Sequence, residues 1–190
     1  EAFVLASGDR LAVRSLVFGR GLHAATSGRR LVIGTDDEPN FEILDREGDR
    51  LRIVRWADPP RPVEAGAFER FRDEELDEDA PPPLLDMWRE MFDAMPRHQT
   101  YPAFASLRTD TEGRIWVADY RAPGEEARWW SVFDADGLAL GRVRTPDGLR
   151  VLEIGSDYLL GVIRDELDVE RVRLHGIEIE ESALEVAGDS

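Results

Sequence analysis

Three histidines, forty carboxylates and five tryptophans are the side chains of this 190-residue sequence that could carry chemistry. His23, His98 and His175 lie in unrelated contexts, and no G-x-S-x-G motif accompanies them, so the pattern does not indicate nucleophilic catalysis. The sequence has no cysteine and no lysine, which excludes disulfides, thiolate metal sites and lysine Schiff-base chemistry. We therefore predict no catalytic residue, no metal site and no cofactor.

Many of the carboxylates follow a repeated pattern. The stretch 43–54 reads "ILDREGDRLRIV" and the stretch 132–143 reads "VFDADGLALGRV", so that Asp45 aligns with Asp134 and a glycine follows each of them. In a D-x-x-G hairpin turn the aspartate binds local amides and the glycine supplies a positive φ. We therefore interpret these aspartates as turn formers and not as ligands. Asp119, at the end of a predicted strand, is likewise expected to bind loop amides, and nothing singles out a carboxylate pair for glycoside hydrolysis.

Short runs of β-branched and aromatic residues between Gly and Asp turns predict strands, which group into units of four. Such a unit, repeated every roughly 40–50 residues, is the signature of a β-propeller blade. An immunoglobulin-like sandwich is the alternative, but it would not repeat one turn motif at corresponding positions. The predicted fold is all-β, a partial β-propeller of about three four-stranded antiparallel blades. Its parts are the outer strands of a truncated blade (1–17), two blades (21–57 and 103–145) and an incomplete last blade (149–177) that lacks the D-x-x-G turn and a fourth strand.

A two-helix insertion is predicted at 58–102, between the two full blades. It opens with "DPPRP", which cannot continue a central strand. The second helix has apolar residues at i, i+4, i+7 and i+11, with two more alongside, and together they form one helix face: Leu84, Trp88, Met91 and Met95, with Leu85 and Phe92. Residues 178–190 are predicted to form an acidic tail.

The sequences "DTEGRIWVADY" and "SVFDADGLALGRV" resemble the repeat of six-bladed β-propellers of the NHL and TolB-like type. The "FGR…LHAA" stretch, the two-helix insertion and the closing "IGSDYLLGVIRDELDVERVRL" resemble the C-terminal half of one bacterial branch, and the resemblance covers nearly all of 1–177. It implies a six-bladed propeller and a periplasmic or secreted setting, and it implies no established reaction. Since a propeller needs about four to eight blades to close, we expect a fragment whose ring a missing N-terminal half completes; a second copy or a second chain are the alternatives.

Six residues are candidate ligand contacts: His23, Arg108, Glu153, Trp88, His98 and Trp129. The first three belong to first strands, which line the central channel of a propeller. The other three are candidates on a propeller face, where an exposed tryptophan can stack on a sugar ring or contact a partner. Lactonase-like propellers hold a divalent cation with Glu, Asn and Asp side chains, but the one asparagine of this sequence, Asn40, falls in a predicted hairpin loop.

The formal net charge of −16 argues against a nucleic-acid partner, because phosphate binding needs a basic surface. No apolar run approaches the roughly 18 residues of a transmembrane segment. The sequence therefore predicts a non-catalytic module that binds a protein or a carbohydrate-like ligand. The alternative is a channel-site enzyme of lactonase, lyase or glycosidase type, with its site partly in a missing N-terminal half.

Overall fold

A computed structural model describes residues 1–7, 10–76, 79–125, 127–165 and 167–177, which form β-strands and two helices. The strands form four antiparallel sheets, in each of which neighbouring strands are consecutive in the sequence. Sheet 1 comprises β1 (Ala2–Ser7) and β2 (Arg10–Ser15), and sheet 2 comprises β3 (Leu22–Ser27), β4 (Arg30–Thr35), β5 (Asn40–Leu44) and β6 (Arg50–Arg55). Sheet 3 comprises β7 (Ser106–Thr109), β8 (Ile115–Ala118), β9 (Arg128–Phe133) and β10 (Ala139–Thr145). Sheet 4 comprises β11 (Arg150–Ile154), β12 (Tyr158–Arg164) and β13 (Glu170–Gly176). The helices are α1 (Ala67–Glu75) and α2 (Pro82–Ala94). The predicted β-rich chain with two helices is confirmed, whereas the described residues form no closed barrel.

Four hairpin turns share one hydrogen-bond pattern. In each, an aspartate Oδ1 accepts from the backbone N–H groups two and four residues later, at 2.8–3.0 Å; the residues are Asp45, Asp110, Asp134 and Asp165. Three of these turns have a glycine at the left-handed position, with φ between 84° and 91°, and the fourth has Asp168 with φ of 60°. The turn predicted to be missing from 149–177 is therefore present, between β12 and β13, because aspartate tolerates the left-handed region better than most residues.

Sheet 3 packs against a neighbouring sheet on each of its faces. Alternate residues of β8 point in opposite directions, and all four are buried. Ile115 and Val117 join a cluster with sheet 2, while Trp116 and Ala118 join a second cluster with sheet 4. Burial on both faces explains why β8 reads as a continuous apolar run and not as an alternating one.

The two helices cover sheet 1 and the segment that follows it. Their buried residues form a third apolar cluster with Val17 and Phe18, and side chains of β1 and β2 pack against it. The apolar face of α2 includes the predicted Leu85, Met91 and Phe92, which are buried, whereas Trp88 is only half-buried. The candidate site lies beside sheets 2 and 3, where it is lined by the segments that follow β6 and β8.

Candidate functional site

The first strands of sheets 2, 3 and 4 line a groove of about 400 Å³, which we call the first-strand groove. Its walls are mainly small or apolar residues and threonines, such as Ala24, Leu107 and Thr109. Of the predicted channel residues, Arg108 and Glu153 both line this groove. Their polar groups already have protein partners, because Arg108 Nη1 donates to the Leu152 carbonyl at 3.3 Å and the Tyr158 hydroxyl donates to Glu153 Oε1 at 2.5 Å.

His23 lies on β3, the first strand of sheet 2, but its ring contacts a buried carboxylate. Its Nε2 is 2.9 Å from Asp36 Oδ2, and the other carboxylate oxygen of Asp36 accepts from the Gly21 N–H at 2.8 Å. The imidazole also lies against Phe104, with ring centroids 5.1 Å apart. Asp36 is only 5% exposed, so the pair joins the start of β3 to the end of β4 and has a structural role.

The remaining predicted contacts lie in separate places. His98 Nε2 is 2.8 Å from Glu1 Oε2, so this histidine joins the segment after α2 to the chain start. Trp88 is half-buried on α2. Trp129 is half-buried on β9 and lines a different concavity from the first-strand groove. Its neighbour Trp130 is 1% exposed and faces sheet 4, as the alternation along a strand requires.

The second concavity has a volume of about 420 Å³, and we call it the Asp58–Asp119 cavity. Four stretches of chain build it: the one after β6, the one before β7, the one after β8, and the beginning of β9. Its charged and aromatic wall consists of Asp58, Arg61, Asp119, Tyr120, Glu125 and Trp129. The volume is in the range that holds a small ligand.

Most charges in this cavity are already compensated. Arg61 Nη1 pairs with Glu125 Oε1 at 3.1 Å, and its Nη2 donates to the Tyr120 carbonyl. Arg142, on β10, pairs with Asp119, and its guanidinium lies 5.0 Å from the centre of the Trp129 ring. The guanidinium of Arg142 thus makes a cation–π contact with the Trp129 ring.

Asp58 is the carboxylate of the cavity that has no ion pair or side-chain hydrogen bond within the described part of the chain. Burial raises its pKa, and the charges of Arg61 and Arg142 partly oppose this rise. Burial also raises the pKa of Asp119; Arg142 opposes the rise, and the charge of Asp58 adds to it. Asp58 is exposed and Asp119 is half-buried, so water screens much of the effect at Asp58 and part of it at Asp119. Burial likewise raises the pKa of Tyr120 to about 12, so its hydroxyl is neutral and can donate.

The expectation that Asp119 binds loop amides is wrong, because its carboxylate pairs with Arg142. Sequence reasoning also misses Asp58 and Arg61, since "DPPRP" by itself indicates only the end of a strand. One signal could have found the pair of carboxylates: the dipeptide Ala-Asp follows β6 after a single tryptophan and straddles the end of β8. Asp58 follows the fourth strand of sheet 2 and Asp119 follows the second strand of sheet 3, so the two carboxylates reach one cavity from different strand positions.

Comparison with protein-family models, curated proteins and solved structures gives no match. The resemblance to six-bladed propellers therefore stays a prediction. Within the described ranges, no helix is long and apolar enough to cross a membrane. In the same part of the chain, no group of three or more histidine, aspartate or glutamate side chains is arranged to hold a metal ion.

Proposed function

We propose that the protein is a non-catalytic binding module whose Asp58–Asp119 cavity holds a small, polar, carbohydrate-like ligand. The observation that carries the proposal is the composition of the cavity wall: Trp129 supplies an aromatic surface beside carboxylates and a guanidinium. Sugar recognition combines such an aromatic face with polar groups that bind hydroxyls. The volume of about 420 Å³ suits a ligand of one or two sugar rings.

The alternative, a channel-site enzyme, needs a convergent set of reactive groups in the first-strand groove. There, Arg108 and Glu153 are bonded to protein groups, and Asp110 accepts from Trp116 Nε1 at 2.9 Å. Side chains with these hydrogen bonds stabilise the fold, and few of their polar atoms remain free to bind a substrate. We therefore place binding before catalysis.

We also propose that the four sheets are blades of a β-propeller. Two features support this: each sheet is an antiparallel meander, and sheets 2, 3 and 4 pack face to face with their first strands around one groove. Val172 and Leu174, on β13, remain 67% and 68% exposed, as expected for a blade whose next neighbour is supplied by further sequence or by a second chain.

Exposure of this sheet face can be tested with a dye that binds apolar surface, anilinonaphthalene sulfonate. We expect the protein to enhance its fluorescence, and a variant carrying both Val172→Ser and Leu174→Ser to do so less. A folded monomer that leaves the dye fluorescence unchanged would contradict the proposal of an unmatched blade.

Ligand binding is tested by saturation-transfer NMR with glucose, glucosamine and glucuronate. We expect at least one of these sugars to receive saturation from the wild-type protein. Trp129→Ala should abolish the transfer, and Trp88→Ala, which removes another half-buried tryptophan outside the cavity, should retain it. The proposal fails if no sugar receives saturation or if the Trp129 variant binds as well as the wild type.

Catalysis is examined with para-nitrophenyl glucoside. We expect no release of nitrophenolate above the rate in buffer. Release by the wild-type protein that is lost in Glu153→Gln, in the first-strand groove, would replace the binding proposal with the enzyme alternative.

A further inference from the structure

We infer that the ligand of the Asp58–Asp119 cavity carries a positively charged amine that pairs with Asp58. The inference rests on the proposed function, because it names the chemical class of the ligand for the same cavity. Three observations support it, namely the pairing of the charges in the wall, the aromatic ring beside them, and the charge of the whole chain.

The ion pairs in the cavity wall leave one carboxylate, Asp58, without an arginine partner among the described residues. Arg61 is bound to Glu125, and Arg142 is bound to Asp119. The two ion pairs are each neutral, so these four side chains and Asp58 together carry one negative charge, which belongs to Asp58. A ligand ammonium would compensate it without breaking either existing pair.

An anionic ligand would meet the opposite situation. It would have to take Arg61 from Glu125 or Arg142 from Asp119, and each exchange would leave a carboxylate without its cation. Both pairs are partly exposed, so either exchange costs only a modest amount of free energy, but neither is needed for a cationic ligand. A neutral sugar would break no pair, but it would leave the charge of Asp58 uncompensated.

The aromatic wall also suits a cation. The Arg142 guanidinium occupies one face of the Trp129 ring, 5.0 Å from its centre, and a ligand cation would use the other face. The chain as a whole carries a formal charge of −16, which favours the approach of cations over that of anions. The cavity is therefore suited to an amine-bearing sugar or to a polyhydroxylated amine of the same size.

The test compares three probes that share one ring and differ in charge: glucosamine, glucose and glucuronate. Dissociation constants are measured by NMR titration at about pH 6, where an aliphatic amine is protonated and ordinary carboxyls are ionised. We expect glucosamine to bind about tenfold more tightly than glucose, and glucuronate to bind least. Asp58→Asn should remove the preference for glucosamine. Asp49→Asn, which neutralises an exposed aspartate of a distant turn, should leave it intact.

Each failure identifies which proposal is wrong. Equal affinities for glucose and glucosamine, or tightest binding of glucuronate, would overturn the amine inference while the binding function stands. A preference for glucosamine that survives Asp58→Asn would overturn the assignment to Asp58. No binding of any of the three probes would overturn the proposed function itself. A thermal melt of Asp58→Asn that matches the wild type ensures that a lost preference does not reflect unfolding.

Discussion

The first-strand groove and the Asp58–Asp119 cavity enclose similar volumes, about 400 and 420 Å³, and both contain arginine and carboxylate side chains. They differ in what those side chains bind. In the groove, Arg108, Asp110 and Glu153 are all bonded to groups of the protein itself. In the cavity, Asp58 has no such partner among the described residues, and Trp129 is half-buried beside it.

The difference shows that the residue types lining a concavity do not by themselves identify a binding site. A charged side chain whose hydrogen bonds are already made within the protein contributes to stability, and it would have to give up those bonds to hold a ligand. By this criterion we infer that the groove is a structural seam between sheets, and we propose the cavity as the binding site. Substitutions in the groove should therefore change stability, whereas substitutions in the cavity should change binding.

The largest contrast is expected between the two adjacent tryptophans of β9. Trp130 is 1% exposed in the seam between sheets 3 and 4, so Trp130→Ala should lower the free energy of unfolding by about 3–5 kcal/mol. Trp129→Ala removes a half-buried ring and should cost about 1–2 kcal/mol. Urea denaturation measures both. Equal losses at the two positions would mean that Trp129 is a core residue and not part of an open wall.

A smaller contrast is expected between two aspartates that form the same turn. Asp110 and Asp134 each bind two turn amides, but the buried carboxylate of Asp110 also accepts from Trp116 Nε1 and from the Arg114 side chain. Asp110→Ala leaves these buried donors without an acceptor and should cost about 3 kcal/mol, against about 1 kcal/mol for Asp134→Ala. The melting temperatures of the two variants are compared. If Asp110→Ala were as mild as Asp134→Ala, the groove would not be a structural seam.

The smallest expected effect is the dependence of glucosamine binding on pH. Burial raises the pKa values of Asp58 and Asp119, and the facing guanidiniums of Arg61 and Arg142 oppose this rise. As the pH falls through this raised range, the carboxylates gain protons and lose the charge that pairs with the amine. Affinity should therefore begin to fall above the usual aspartate pKa of about 3.9, with a weaker dependence in Asp58→Asn. An identical pH profile for wild type and Asp58→Asn would rule out Asp58 as the group that titrates.

The same carboxylates affect stability in the opposite direction. A carboxyl with a raised pKa in the folded state destabilises that state above the raised pKa, and this cost disappears as the pH falls below the pKa of the unfolded chain. Because Asp58 and Asp119 are partly open to solvent, the effect on the free energy of unfolding should be small. Binding is therefore the more sensitive measurement.

Local turn chemistry made the hairpins predictable from the sequence. The motif that includes Asp45 and Asp134 marks turns because its geometry depends only on residues within five positions of one another. The corresponding turn of sheet 4 was not predicted, because Asp168 occupies the position at which the motif requires glycine. The periodicity of α2 indicated its apolar face, but Trp88 on that face is only half-buried, because the neighbours of a helix decide how fully each position is covered.

The site was less predictable than the fold because it depends on contacts between distant parts of the chain. Trp129 could be named from the sequence, since adjacent residues of a strand face opposite sides. Asp58 and Asp119 are separated in sequence by the two helices, and they share a cavity only because sheets 2 and 3 pack together. His23 shows the reverse case, because its contact with the buried Asp36 gives a structural role to a residue whose type suggested chemistry.

A ¹H–¹⁵N spectrum of the indole groups during a glucosamine titration tests the central claim most directly. The sequence has five tryptophans, and one of them lines the cavity. We predict that the Trp129 signal shifts in a saturable manner while the signals of Trp88 and Trp116 stay in place. A shift of Trp116, whose indole binds Asp110 in the wall of the groove, together with an unchanged Trp129 signal would move the binding site to the groove and contradict its assignment to the Asp58–Asp119 cavity.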